Sequence, residues 1–151
     1  MSELYDLYQE VILDHNKQPR NYGELTDTEH RAEGNNPLCG DRLTVDLMVD
    51  ADRIVDIRFR GQGCAISVAS ASLMTDAVKG KTVEEANAIF ERFHDMLTGD
   101  PGVPAEASGE LGKLAVFSGV REFPIRVKCA TLAWHTLQAA LKGEKEPVST
   151  E

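Results

Sequence analysis

The sequence has no excess of basic charge. Sixteen Lys and Arg stand against 25 Asp and Glu, a formal net charge of −9. A nucleic-acid backbone or an anionic membrane needs a basic face, so neither is expected as the main partner. No apolar run approaches the roughly 20 residues of a membrane span. The opening Met1-Ser2-Glu3-Leu4-Tyr5-Asp6 is acidic and amphipathic, which a signal peptide is not. Cysteine is sparse: three in 151 residues, with no C-x-x-C pair among them. Three thiols cannot all pair, and the chain is no disulfide-stapled miniature, so reduced cysteines in the cytoplasm are expected. Internal repeats and heptads are also missing. What remains is ordinary for one globular domain, at 42% apolar residues. A chain of this size buries roughly 68–70% of its unfolded surface, so its core needs no covalent help.

The periodicities predict an α+β fold, a small antiparallel sheet with helices packed on one face. Leu4, Leu7, Tyr8, Val11 and Ile12 recur at helical spacing, and Pro19 with Asn21-Tyr22-Gly23 ends that segment. A short edge strand is expected near His30. Leu43, Val45, Leu47 and Val49 alternate with polar residues, as do Val55, Ile57 and Phe59, and Asp50-Ala51-Asp52 turns between them. A helix follows, with Ile66, Ala69, Leu73, Ala77 and Val78 inward, small residues Ser67, Ala71 and Ser72 opposite, and Gly80 as its cap. Thr82-Val83-Glu84-Glu85 is a capping box opening a second helix with Val83, Ala86, Ile89, Phe90, Phe93 and Leu97 inward. Thr98 to Gly109 reads as a loop, and Leu111 to Phe117 as one or two helical turns. Pro124 predicts an extended Ile125-Arg126-Val127 before a last helix from about Ala130 to Lys142. The domain is placed at 1–143, and 144–151 is read as a polar, disordered tail.

Each cysteine falls at a junction between expected elements. Cys39 precedes the first strong strand, and Cys64 and Cys129 are expected at helix N-termini, where the dipole favours thiolate. Asp41 is two residues past Cys39, so in extended chain both point the same way. Three thiolates and one carboxylate suit Zn²⁺; soft sulfur also suits an iron–sulfur cluster. Gly40, Gly61 and Gly63 let backbone come close to such a ligand. Arg126 and Lys128 flank Cys129 and are expected on one face of the extended piece, where a cation lowers a thiol pKa. His15, His30, His94 and His135 are each single and read as surface or packing residues, and Trp134 as core.

Together these residues resemble a known family. Cys39-Gly40-Asp41, then Gly61-Gln62-Gly63-Cys64-Ala65-Ile66-Ser67, then Arg126-Val127-Lys128-Cys129-Ala130 resemble the SufU/IscU proteins of iron–sulfur cluster assembly. Asp14-His15, Pro19-Arg20-Asn21 and Gly23 look like the same family's opening, and the likeness runs from about Tyr5 to Leu141. Lys128 stands where the scaffold branch has histidine, and no Leu-Pro-Pro-Val-Lys segment is found. The stretch from Thr98 to Leu111 resembles the insertion of the SufU branch.

The resemblance implies a SufE/IscU-like fold and a zinc site of Cys39, Asp41, Cys64 and Cys129. It implies a zinc-dependent sulfurtransferase that takes persulfide sulfur from a pyridoxal-phosphate cysteine desulfurase (SufS-like) and serves a downstream iron–sulfur scaffold. Cys39 is the expected acceptor, with Arg126 and Lys128 in support. The alternative is a scaffold that builds and hands on a [2Fe–2S] cluster.

Overall fold

Alternating residues on either side of Asp50 form the central hairpin. The computed structural model describes residues 3–26, 28, 30–37, 39–98, 113–114, 116–117, 120, 123–143 and 147–149. Strands β2 (Asp41–Asp50) and β3 (Arg53–Gln62) pair antiparallel, and β1 (His30–Asn36) pairs antiparallel with β2. Ala51 and Asp52 turn between β2 and β3 at φ 51° and 62°. Two left-handed residues there match the twist of the flanking strands.

Val49 faces Ile54 while Met48 faces Asp56, which leaves Val55 as the extra residue of a bulge. The bulge reverses the start of β3. Ile54 is fully buried and Val55 is 40% exposed, so simple alternation through Val55 fails there, while Ile57 and Phe59 point inward as expected.

The sheet order is β3-β2-β1-β4, with β4 (Val148–Ser149) parallel to β1. The segment 144–151, expected to lack structure, therefore supplies a short strand. It satisfies backbone groups that β1 would otherwise expose along Gly34 and Asn35. The strand expected near His30 is thus an inner one.

Four helices complete the described fold: α1 (Glu3–Lys17), α2 (Ala65–Val78), α3 (Val83–Thr98) and α4 (Pro124–Lys142). Helix α4 lies over β1 and β2, α2 lies over β3, α1 packs on α2, and α3 on α4. Buried Ala69, Leu73, Met74, Leu132 and Leu137 join Leu43, Val45, Leu47, Ile57 and Phe59 in one core. Trp134 stacks on Phe93 with ring centroids 4.9 Å apart.

Helix α2 is buried well beyond one stripe. Ser67, Ser70, Ser72 and Thr75 are fully covered alongside its apolar residues. Small side chains let α1 and α4 approach from two sides. Ser70 Oγ donates to Ala130 O at 2.5 Å, and Ser72 Oγ meets His15 Nδ1 at 2.7 Å and accepts from the Arg20 amide at 2.8 Å. His15 is a buried packing residue, and burial holds its imidazole pKa below the ordinary value.

The capping box forms as expected: Glu85 N donates to Thr82 Oγ1 and Thr82 N to Glu85 Oε1, each at 3.0 Å. The start of α4 does not. Residues 125–127 are helical, because Pro124 occupies the first helical turn, where its missing N–H costs nothing and its φ already fits. Gly143, at φ 71°, ends the helix. Short helical turns at 113–114 and 116–117 bury Leu114, Val116 and Phe117. The loop expected through Gly109 falls, beyond Thr98, outside the described residues.

Candidate metal centre

Three chain junctions meet at one end of the sheet. Asn36 ends β1, and its Cα partner is Asp41, which begins β2. The loop between them carries Cys39. Its amide donates to Asn36 O at 3.2 Å, and Gly40 turns the chain at φ 70°. Cys39 and Asp41 do converge, but this turn brings them together rather than extended alternation.

Asp41 is fully buried. Its Oδ1 accepts from the Cys64 amide at 2.8 Å, where β3 gives way to α2. Its Oδ2 is buried without a hydrogen-bond partner. Gly63 makes the approach possible, since a Cβ there would stand 2.5 Å from Asp41 Oδ1. Cys64 is the N-cap of α2 and uses no side-chain bond to cap it, so its sulfur stands at the positive end of the helix as expected.

Cys129 differs from its expectation. With α4 beginning at Pro124, it lies in the second turn of the helix and is only 2% exposed. Its Sγ lies 3.1 Å from Cys39 Sγ and 3.6 Å from Asn36 Nδ2. Burial pushes this thiol's pKa up, and the neighbouring Cys39, Asp41 and Cys64 push it further the same way. A bound cation reverses that balance, because a metal ligand must be thiolate.

Donor atoms of Cys39, Asp41 and Cys129 all lie within 4.8 Å of one another. Cys64 stands outside that trio, yet near enough to act on Cys129 electrostatically. The donor set fits a metal. A buried carboxylate oxygen without a donor is costly, and a cation is the partner it lacks. Sulfur-rich sites with one oxygen suit tetrahedral Zn²⁺, while thiolates also accept iron–sulfur clusters.

Arg126 and Lys128 do not share a face, because they sit two apart on a helix rather than a strand. Arg126 lies one turn before Cys129, on its side of α4, with the guanidinium carbon 4.6 Å from the Phe123 ring centroid. The histidines play no part in the trio: His30 Nδ1 meets Ala140 O at 3.1 Å, and His94 and His135 pack tilted and edge-on around Phe90. Asn36 was not singled out from the sequence. A lone Asn before Pro carries no signal, and only pairing with Asp41 places its buried amide against Cys129. On the outer face of the sheet a cleft of about 810 Å³ reaches Asn36, Gly40 and Asp41 between Glu33, Arg42 and Arg60.

Residues 7–130 match the family model described as the NifU-like N terminal domain. The chain is 46% identical over 142 residues to the iron-sulfur cluster assembly scaffold protein IscU of Streptococcus pyogenes serotype M1, covering 94% of this chain and 87% of that one. It is 43% identical over 144 residues to the zinc-dependent sulfurtransferase SufU of Bacillus subtilis, covering 95% of each. A crystal structure of a protein described only as hypothetical superimposes with a TM-score of 0.82 at 44% identity, covering 91% of this chain and 98% of that one. By the length of these matches and the fold they share, the chain belongs to the IscU/SufU family of iron–sulfur cluster assembly proteins, built on the NifU-like N-terminal domain.

Proposed function

We propose that this protein is a zinc-dependent sulfurtransferase that accepts persulfide sulfur from a cysteine desulfurase for iron–sulfur cluster assembly. The observation that carries the reading is the buried, unpartnered Asp41 Oδ2 set among cysteine sulfurs. Cys39, Asp41, Cys64 and Cys129 would hold the ion. When bound, zinc keeps the sulfurs deprotonated, mutes their reactivity and ties together the β1–β2 loop, the start of α2 and the second turn of α4.

The chain's own residues supply the rest. Cys39 sits in a loop, Cys64 is the residue that opens α2 and Cys129 lies buried within α4, so Cys39 is the sulfur taken to move to meet a partner. Its thiolate attacks the terminal sulfur of the desulfurase persulfide. A new S–S bond forms at Cys39 as the partner's S–S bond breaks, and the partner's cysteine leaves as thiolate. The sulfane sulfur changes owner with no net oxidation. Arg126, one turn before Cys129, offers the incoming anion a positive charge, whereas Lys128 lies on another face of the helix.

A second reading has its own support. A relative named as a scaffold is as similar as the one named as a sulfurtransferase. On that reading the thiolates would carry a [2Fe–2S] cluster as cargo. Lys128 favours the first reading, since an ammonium group has no lone pair to give a metal. Desulfurase turnover, measured with and without this protein and with and without zinc, tests the proposal. Zinc-dependent stimulation by a colourless protein is expected. A brown protein with visible charge-transfer absorption and no stimulation would sustain the scaffold instead.

A further inference from the structure

The Cys39 loop and the Cys129 helix meet at one residue whose side chain the proposed chemistry leaves unused. Asn36 is fully buried at the end of β1. Its main-chain carbonyl accepts from the Cys39 amide at 3.2 Å, closing the loop. Its side-chain Nδ2 lies 3.6 Å from Cys129 Sγ, a normal length for a hydrogen bond to sulfur. Its Cα partner across the sheet is Asp41. One residue thus brackets three of the four expected ligands.

The geometry points to Asn36 as the positioning residue that makes Cys129 the retained sulfur and leaves Cys39 the exchangeable one. The inference rests on the sulfur-transfer reading above and names what directs it. An amide N–H aimed at a thiolate draws charge from the sulfur. The sulfur becomes a poorer nucleophile, and its orientation toward the metal is fixed. Hydrogen bonds of this kind tune sulfur ligands in metal and cluster sites generally.

Cys129 combines this bond with burial and a helical backbone, so it cannot swing out without disturbing α4. Cys39 has the opposite setting: half-buried, in a loop with exposed Pro37 before it and the positive-φ Gly40 after it. Where three sulfurs share one centre, the one that leaves is then set by the amide held against its neighbour. Asn36 touches no substrate in this scheme; it acts through Cys129.

Two measurements test this. In wild-type protein loaded with ¹¹³Cd²⁺, NMR should show cadmium coupled to the β-protons of three cysteines. One Asn36 side-chain amide proton should be shifted downfield, slow to exchange and coupled to the cadmium through the sulfur. Three coupled cysteines with an ordinary, fast-exchanging Asn36 amide would overturn this inference alone. Cadmium coupled to no cysteine would overturn the metal reading and this inference with it.

The second measurement is site-resolved alkylation of zinc-loaded protein by iodoacetamide, with no desulfurase present. Cys39 should be modified first in the wild type. In Asn36→Ala and in the near-isosteric Asn36→Asp, the rate at Cys129 relative to Cys39 should rise by about tenfold, the scale on which such outer contacts tune a site. An unchanged ratio in either folded variant would contradict the assignment. The cadmium spectrum decides the matter in wild-type protein should both variants fail to fold.

Discussion

Individual residues at the cysteine cluster have separable jobs. Cys39→Ser should abolish transfer of labelled sulfur from the desulfurase, read as persulfide on this chain by mass spectrometry. Label persisting on Cys64 or Cys129 in that variant would move the acceptor role. Asp41→Ala should weaken zinc retention in a chelator competition, because it removes a buried oxygen donor. Gly63→Ala should do the same without replacing a ligand, since its Cβ would stand 2.5 Å from Asp41 Oδ1 and push the carboxylate away. Unchanged zinc affinity in both would take Asp41 out of the site. At this scale the sequence was informative where chemistry is carried by residue type: a thiol, a neighbouring carboxylate, glycines beside them. It was silent on Asn36, whose amide matters only because β1 and β2 pair in one register.

At the scale of elements, the site depends on how β1 meets α4. Gly34 lies on β1 beneath α4, where an added Cβ would run into Thr136 Oγ1. Gly34→Ala should therefore cost about 1–3 kcal/mol by overpacking, measured by urea unfolding of the metal-free protein. The same variant should hold zinc less well, because β1 leads to the Cys39 loop and α4 carries Cys129. Loss of stability with no change in zinc retention would uncouple the two. Local signals were read correctly where they are self-contained, as in the Thr82–Glu85 capping box. They misled where two outcomes share one signal. Proline at 124 serves as readily in a first helical turn as before a helix, and the choice moved Cys129 from a helix start into its second turn. The bulge at Val55 likewise depends on cross-strand register, which periodicity along one strand does not contain.

Across the whole molecule, acid should act through groups far from the sulfurs. Asp46 is fully buried on the outer face of β2, held by Arg31 at 2.7 Å and Arg60 at 2.8 Å. Burial pushes its carboxyl pKa up, but bonds from Arg31, the Leu25 amide and Arg60 outweigh that and hold it below the usual value. A group lowered by folding stabilises the fold fully above its unfolded pKa of roughly 3.9, and that contribution is lost as pH falls through the folded value. His15 and His135 are lowered mainly by burial, so their contribution begins to fall below about 6.5. Metal-free protein should thus lose stability on acidification in two stages. Asp46→Asn should flatten the lower stage and leave the upper one; an identical lower slope would contradict the role given to Asp46.

On the proposed reading zinc would add stability by mass action, about 2.7 kcal/mol when free ion stands at 100 times its dissociation constant. The fold class, the hairpin and the helical cover were legible in the sequence because burial repeats along each element. The approach of Cys39 to Asp41 was legible in their spacing, but that of Cys129 to both only through family resemblance, since it joins segments 88 or more residues apart along the chain. X-ray absorption at the zinc edge of the purified protein tests most directly the proposed centre, in which Cys64 joins those three. Three sulfurs at about 2.3 Å and one oxygen at about 2.0–2.2 Å are expected; a shell with fewer than three sulfurs would contradict it.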